Sequence, residues 1–225
     1  MRLFWCVLGL LVRCLGMVAL ALALLILALG MAAGDYVALA TGALALDEGV
    51  GFFGALLLCG LGLPLTYLLA VVAHELGHLL GGWSAGLSPR FAHAGPLTLS
   101  KEGGRWRVGW DGHWPWLGGR AYCLAPSAAR WRWVVLVLGG PLANLLLGVP
   151  AAWLAVGDLP LPPLPRCWVG MFAAHSLFLG VVNLLPFRDR GLDSDGLVLL
   201  HLLAGGRSPP NPDGIPLTGG VPVRD

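Results

Sequence analysis

Residues Leu61–Gly82 read LGLPLTYLLAVVAHELGHLLGG, and the chain is uncharged from Gly49 to His74. A bilayer core takes about 20 apolar residues of helix to cross. Gly49–Ala73, continuing past His74 towards Gly82, therefore reads as one membrane-spanning helix. His74 and His78 are four residues apart, which on a helix places both on one face, roughly 6 Å from each other. Two imidazoles so placed can hold one Zn²⁺, and Glu75, the next residue along, can serve as general base. Glu75 is also the acidic residue set inside an apolar stretch. An ionisable group at membrane depth costs at least a few kcal/mol and is by default functional.

Three further uncharged stretches are long enough to cross: Cys14–Gly34, Trp133–Gly157 and Cys167–Phe187. The whole composition agrees. Of 225 residues, 57% are hydrophobic and 12% charged, against about 25% charged in soluble domains. That density cannot cover a water-facing surface, so a free-standing soluble enzyme is excluded, and so is a disordered chain. The net charge of +2, without a basic tract, argues against nucleic acid as a partner. Cys6, Cys14, Cys59, Cys123 and Cys167 show no metal-type spacing and read as small buried hydrophobes. The run after Arg2 and Arg13 exceeds the 7–15 residues of a signal-peptide core, so it is expected to stay as an uncleaved helix.

Lys and Arg in the loops set the orientation. Asp35–Gly49 has no basic residue, whereas Gly82–Arg132 has seven: Arg90, Lys101, Arg105, Arg107, Arg120, Arg130 and Arg132. The second loop is expected in the cytoplasm, together with both termini. Within it, Pro96–Ser100 and Arg105–Trp110 read as two strands around the turn Lys101–Gly104. Seven of the ten tryptophans lie from Trp83 to Trp133, and Trp with Arg suits a segment lying against lipid headgroups. The expected fold is thus an all-α integral membrane protein of about four spans, with a small interfacial β-hairpin between the second and third. Its divisions are residues 1–48 (first helix and outer loop), 49–205 (membrane core, the hairpin within about 85–130) and 206–225 (a Pro/Gly-rich tail).

Two histidines leave the metal one protein ligand short. A third histidine in H-E-x-x-H-x-x-G-x-x-H is ruled out, since that position is Ser84. Glu102 is available but sits in the expected turn beside Gly103 and Gly104. Asp193 and Asp195, after the fourth span, are the remaining candidates. His175, in the middle of that span, reads as a hydrogen-bonded packing residue; His93, His113 and His201 have no partner at metal spacing.

His74-Glu-Leu-Gly-His78, then Gly139-Gly-Pro-Leu-Ala-Asn144, then Asn183-Leu-Leu-Pro186 followed by Asp195-Gly196, resemble the site-2 protease family of intramembrane zinc metalloproteases, over about residues 50–200. The resemblance implies zinc held by His74, His78 and Asp195, Glu75 as catalytic base, and Asn144 and Asn183 holding the substrate backbone. The family usually reads N-x-x-P-x-x-x-L-D-G. Here Phe187–Ser194 is a longer spacer and contains Leu192-Asp193 as a second partial match. The expected topology brings the three motifs to one depth: the second and fourth helices both end towards the cytoplasm, and Asn144 lies roughly 16 Å inside the third.

The expected activity is hydrolysis of a peptide bond in or near a transmembrane segment. A helical substrate has its carbonyls hydrogen-bonded, so it must be unwound and its freed backbone groups satisfied, a task that suits Asn. The expected partners are a transmembrane protein substrate, the bilayer and a regulatory membrane protein. The alternatives are a membrane-anchored metalloprotease of soluble or secreted peptides, and a non-catalytic membrane assembly protein of the same fold.

Overall fold

The computed structural model describes residues 51–112, 118–124, 129–157, 160–189 and 192–204. The expected first span, Cys14–Gly34, the tail 206–225 and His113 lie outside these. Helix α1 (Gly51–Ser84) is followed by strands β1 (Ser88–Ala94), β2 (Leu97–Glu102), β3 (Arg105–Trp110) and β4 (Gly119–Leu124). Then come α2 (Arg130–Val156), α3 (Pro163–Val182), the two-residue strands β5 (Arg188–Asp189) and β6 (Leu192–Asp193), and α4 (Asp195–Leu203). Leu61–Ser84, Arg130–Val156 and Pro165–Val182 are long and apolar enough to cross a membrane.

The all-α expectation is overturned. The hairpin exists, with Glu102 opposite Arg105 and both turn glycines at positive φ, as a tight two-residue turn requires. It is, however, the outer half of a four-stranded antiparallel sheet ordered β3-β2-β1-β4. The reason is energetic: an isolated two-stranded hairpin is marginal in water. Strands β1 and β4 anchor it by packing on α1. Ala92 of β1 and Cys123 of β4 join Leu79, Leu136, Val137 and Leu202 in one buried cluster, so the sheet shares its core with the helices.

Helices α1 and α2 touch backbone to backbone. A Cβ added at Gly77 would lie 2.4 Å from the Gly139 carbonyl oxygen, and one at Gly139 would lie 2.3 Å from that of Gly77. The outward faces are apolar and exposed, with Leu61, Leu65, Leu69 and Leu80 on α1 and Leu146, Val149 and Trp153 on α2. Helix α3 stops at Val182, short of the expected Phe187. Pro186 cannot continue a helix and biases the residue before it towards extended backbone. The chain therefore turns at Asn183–Leu185 and runs back as the β5–β6 hairpin, delivering Asp195 at the first turn of α4.

Candidate metal centre

The spacing of four puts His74 and His78 on the buried face of α1, 5% and 6% exposed, their rings 4.7 Å apart and nearly perpendicular. Asp195 closes the triangle from α4. Its Oδ2 lies 3.0 Å from His74 Nε2 and its Oδ1 3.4 Å from His78 Nε2. One donor atom from each of the three lies within 4.8 Å of the others, so the group can hold a metal ion. Burial works against the Asp195 carboxylate, but the facing imidazoles more than offset it and hold its carboxyl well below the usual range.

The spacer question has a geometric answer. Between Pro186 and Asp195 lie the paired strands β5 and β6, in which Arg188 stands opposite Asp193. The guanidinium grips Asp193 through Nε and through Nη2, 3.1 Å from Oδ2. That bond lowers the carboxyl pKa of Asp193, which is thus engaged away from the histidines. Nor does Asp193 cap α4. Ser194 does: its Oγ accepts from Leu197 N at 3.3 Å and Phe187 N at 3.0 Å, and donates to the Leu185 carbonyl at 2.6 Å. Glu102, at the end of β2, is ion-paired with the exposed Arg107 of β3.

Helix α2 supplies the supports. Leu136, Gly140 and Asn144 recur every four residues and so share one face. The Leu136 carbonyl accepts from His78 Nδ1 at 2.8 Å, which turns His78 Nε2 towards Asp195. Asn144, fully buried, lies behind His74, with Nδ2 3.3 Å from Nδ1. Asn183 caps the C-terminus of α3, and its carbonyl accepts from Gly196 N at 2.7 Å, tying the Asp195 turn to the helix end. The three sequence motifs meet in one place.

Between the two supports, Gly140 leaves the space that the ligand nitrogens face. A Cβ there would lie 2.4 Å from His78 Nε2 and 2.8 Å from His74 Nε2. Overpacking of this kind costs ~1–3 kcal/mol, so Gly140→Ala is expected to weaken Zn²⁺ binding roughly ten-fold or more, measured by titration against a chelating dye. In the sequence Gly140 stands only as one member of the Gly139–Asn144 motif.

Glu75 is 6% exposed, and its Oε2 is buried without a hydrogen-bond partner among the described residues. Gly119, at the start of β4, lies directly over it: a Cβ there would come within 2.3 Å of Oε1. Nothing in the sequence pointed to Gly119, because only the sheet topology carries β4 to α1.

His175 and His93 make packing contacts elsewhere in the structure. Thr66 Oγ1 lies 3.1 Å from His175 Nδ1, and Tyr67 meets that ring edge-on. His93 is buried on β1 against Phe91, and burial lowers its pKa. Burial also pushes the Cys123 thiol up to about 12, as for an unreactive core cysteine. No protein-family model matches the chain, and it has no match among curated proteins or solved structures.

Proposed function

We propose that the protein is an intramembrane zinc metalloprotease of the site-2 type, cleaving a peptide bond in or near the transmembrane segment of a membrane protein. The observation that carries this reading is the buried convergence of His74, His78 and Asp195 with the Glu75 carboxylate beside them, whose buried Oε2 has no hydrogen-bond partner among the described residues, at one end of three helices apolar enough to cross a membrane. Two imidazoles and one carboxylate are a donor set of catalytic zinc, which leaves a position open. The backbone acceptor on His78 Nδ1 fixes that ring in the ligating tautomer. His74, His78 and Asp195 would hold the zinc, which would supply Lewis acidity for activating water and polarising a carbonyl. Glu75 takes the proton from the attacking water and returns it to the leaving amine. Asn183 holds substrate backbone freed by local unwinding.

The topology proposed with this activity has four spans and both termini in the cytoplasm, with the site just below the cytoplasmic surface. The exposed Trp106 and Trp110 of β3, beside Arg105 and Arg107, rest at the headgroups. Regulation falls to a separate membrane partner. Cysteines placed at Gly103, in the β2–β3 turn, and at Pro160, between α2 and α3, are expected to label from opposite sides of sealed vesicles. Labelling from the same side would dismantle the depth argument.

Activity is tested by reconstituting the purified protein with single-span membrane proteins and, separately, with soluble peptides of the same sequences. Chelator-sensitive cleavage of the membrane-embedded form is expected. Cleavage of the soluble peptides alone would replace this reading with that of a membrane-anchored peptidase.

A further inference from the structure

We propose that Asn144 is the positioning residue of His74, presenting its side-chain oxygen to His74 Nδ1 when a metal occupies Nε2. This rests on reading His74, His78 and Asp195 as a metal centre, and it gives Asn144 a role other than holding substrate. The burial already favours it. Asn144 is 0% exposed and lies behind the ring of His74, so the imidazole stands between it and the ligand-facing nitrogens.

The hydrogen-bond accounting leads to the same place. A ligating imidazole binds metal through one nitrogen, carries its proton on the other, and needs an acceptor for that proton. His78 has one in the Leu136 carbonyl. The group facing Nδ1 of His74 is the Asn144 amide, whose Nδ2 lies 3.3 Å away while Oδ1 is buried with no hydrogen-bond partner among the described residues. In this arrangement His74 Nε2–H donates to Asp195 Oδ2 at 3.0 Å and Nδ1 accepts from the amide. With metal on Nε2 the proton must sit on Nδ1, and two donors would then face each other.

A half-turn of the amide plane removes the conflict. It exchanges two atoms of nearly equal size, so Oδ1 takes the place of Nδ2 and accepts from Nδ1–H. A carboxamide is the neutral side chain that offers either sense of hydrogen bond at one position. An aspartate would supply the acceptor but would place a second charge at membrane depth. Leu136 and Asn144 thus perform one task for the two histidines, eight residues apart on one face of α2, with Gly140 clearing the space between them.

The test uses the full chain in detergent, with Zn²⁺ affinity measured by competition with a chromophoric chelator for wild type, Asn144→Leu and Asn144→Asp. Leucine keeps the volume and removes the acceptor, and is expected to weaken binding 10–100-fold, the usual effect of losing such a partner. Aspartate, an acceptor in either orientation, is expected to bind Zn²⁺ within a few-fold of wild type or more tightly. Unchanged affinity in Asn144→Leu, with only KM raised, would overturn the proposal in favour of substrate contact. Aspartate as weak as leucine would overturn it as well. If a variant fails to fold, ¹⁵N NMR of the zinc-loaded wild type decides: His74 protonated at Nδ1 and bonded to the Asn144 oxygen supports the proposal, and an Asn144 amide still donating to His74 refutes it. A wild type that binds no Zn²⁺ removes the metal reading itself, an outcome distinct from one in which wild type and Asn144→Leu bind alike.

Discussion

Glu75→Gln will abolish proteolysis while the metal stays bound. Glutamine keeps the length and shape of the side chain in a place that tolerates no change of size, wedged under Gly119. It removes only the ability to take up a proton. Glu75 contributes no atom to the group of donors formed by His74, His78 and Asp195, so zinc content should match wild type. General base catalysis is worth about 10²–10⁴-fold, and a loss of at least the lower figure is expected. The measurement pairs cleavage rate with zinc content at equal protein. Near-normal cleavage by Glu75→Gln would end the proposed mechanism.

Asp195→Ala will lose both metal and activity, whereas Asp193→Ala will keep both. Asp195 faces both imidazoles at 3.0 and 3.4 Å, and removing it takes away one ligand and a negative charge that offsets Zn²⁺. Asp193 pairs with Arg188 on an exposed hairpin, where ion pairs contribute little, and Ser194 rather than Asp193 caps the following helix. Zinc stoichiometry of the two purified variants separates them. A metal-free Asp193→Ala with a loaded Asp195→Ala would shift the ligand by two residues.

The helices and the histidine pair were legible because each rests on a local pattern. An uncharged run of sufficient length marks a span whatever it packs against. The expected Trp133–Gly157 accordingly lies close to the observed Arg130–Val156, and spacing of four suffices to pair His74 with His78. The sheet was half legible. Strands β2 and β3 flank a glycine turn, whereas β1 begins with Ser88-Pro-Arg and carries a bulge, and β4 opens on a glycine. Neither of these shows a clean alternation, since what fixes them is packing on α1 rather than a solvent-facing rhythm.

The site divides along the same line. Asp195 was named from a motif, but the choice between it and Asp193 turned on where Arg188 lies, and that depends on the hairpin pairing. Gly140 and Gly119 matter only through their distances to side chains on another element. Asn144 was singled out by its motif and assigned to the substrate. Its contact with His74 belongs to the packing of α2 on α1, which no local pattern encodes.

The most direct measurement is X-ray absorption at the zinc edge of the purified, zinc-loaded protein. The account predicts about one zinc per chain, with two imidazole nitrogens and oxygen ligands at about 2.0–2.2 Å and no sulfur. A sulfur shell at about 2.3 Å, or the absence of stoichiometric zinc, would contradict it.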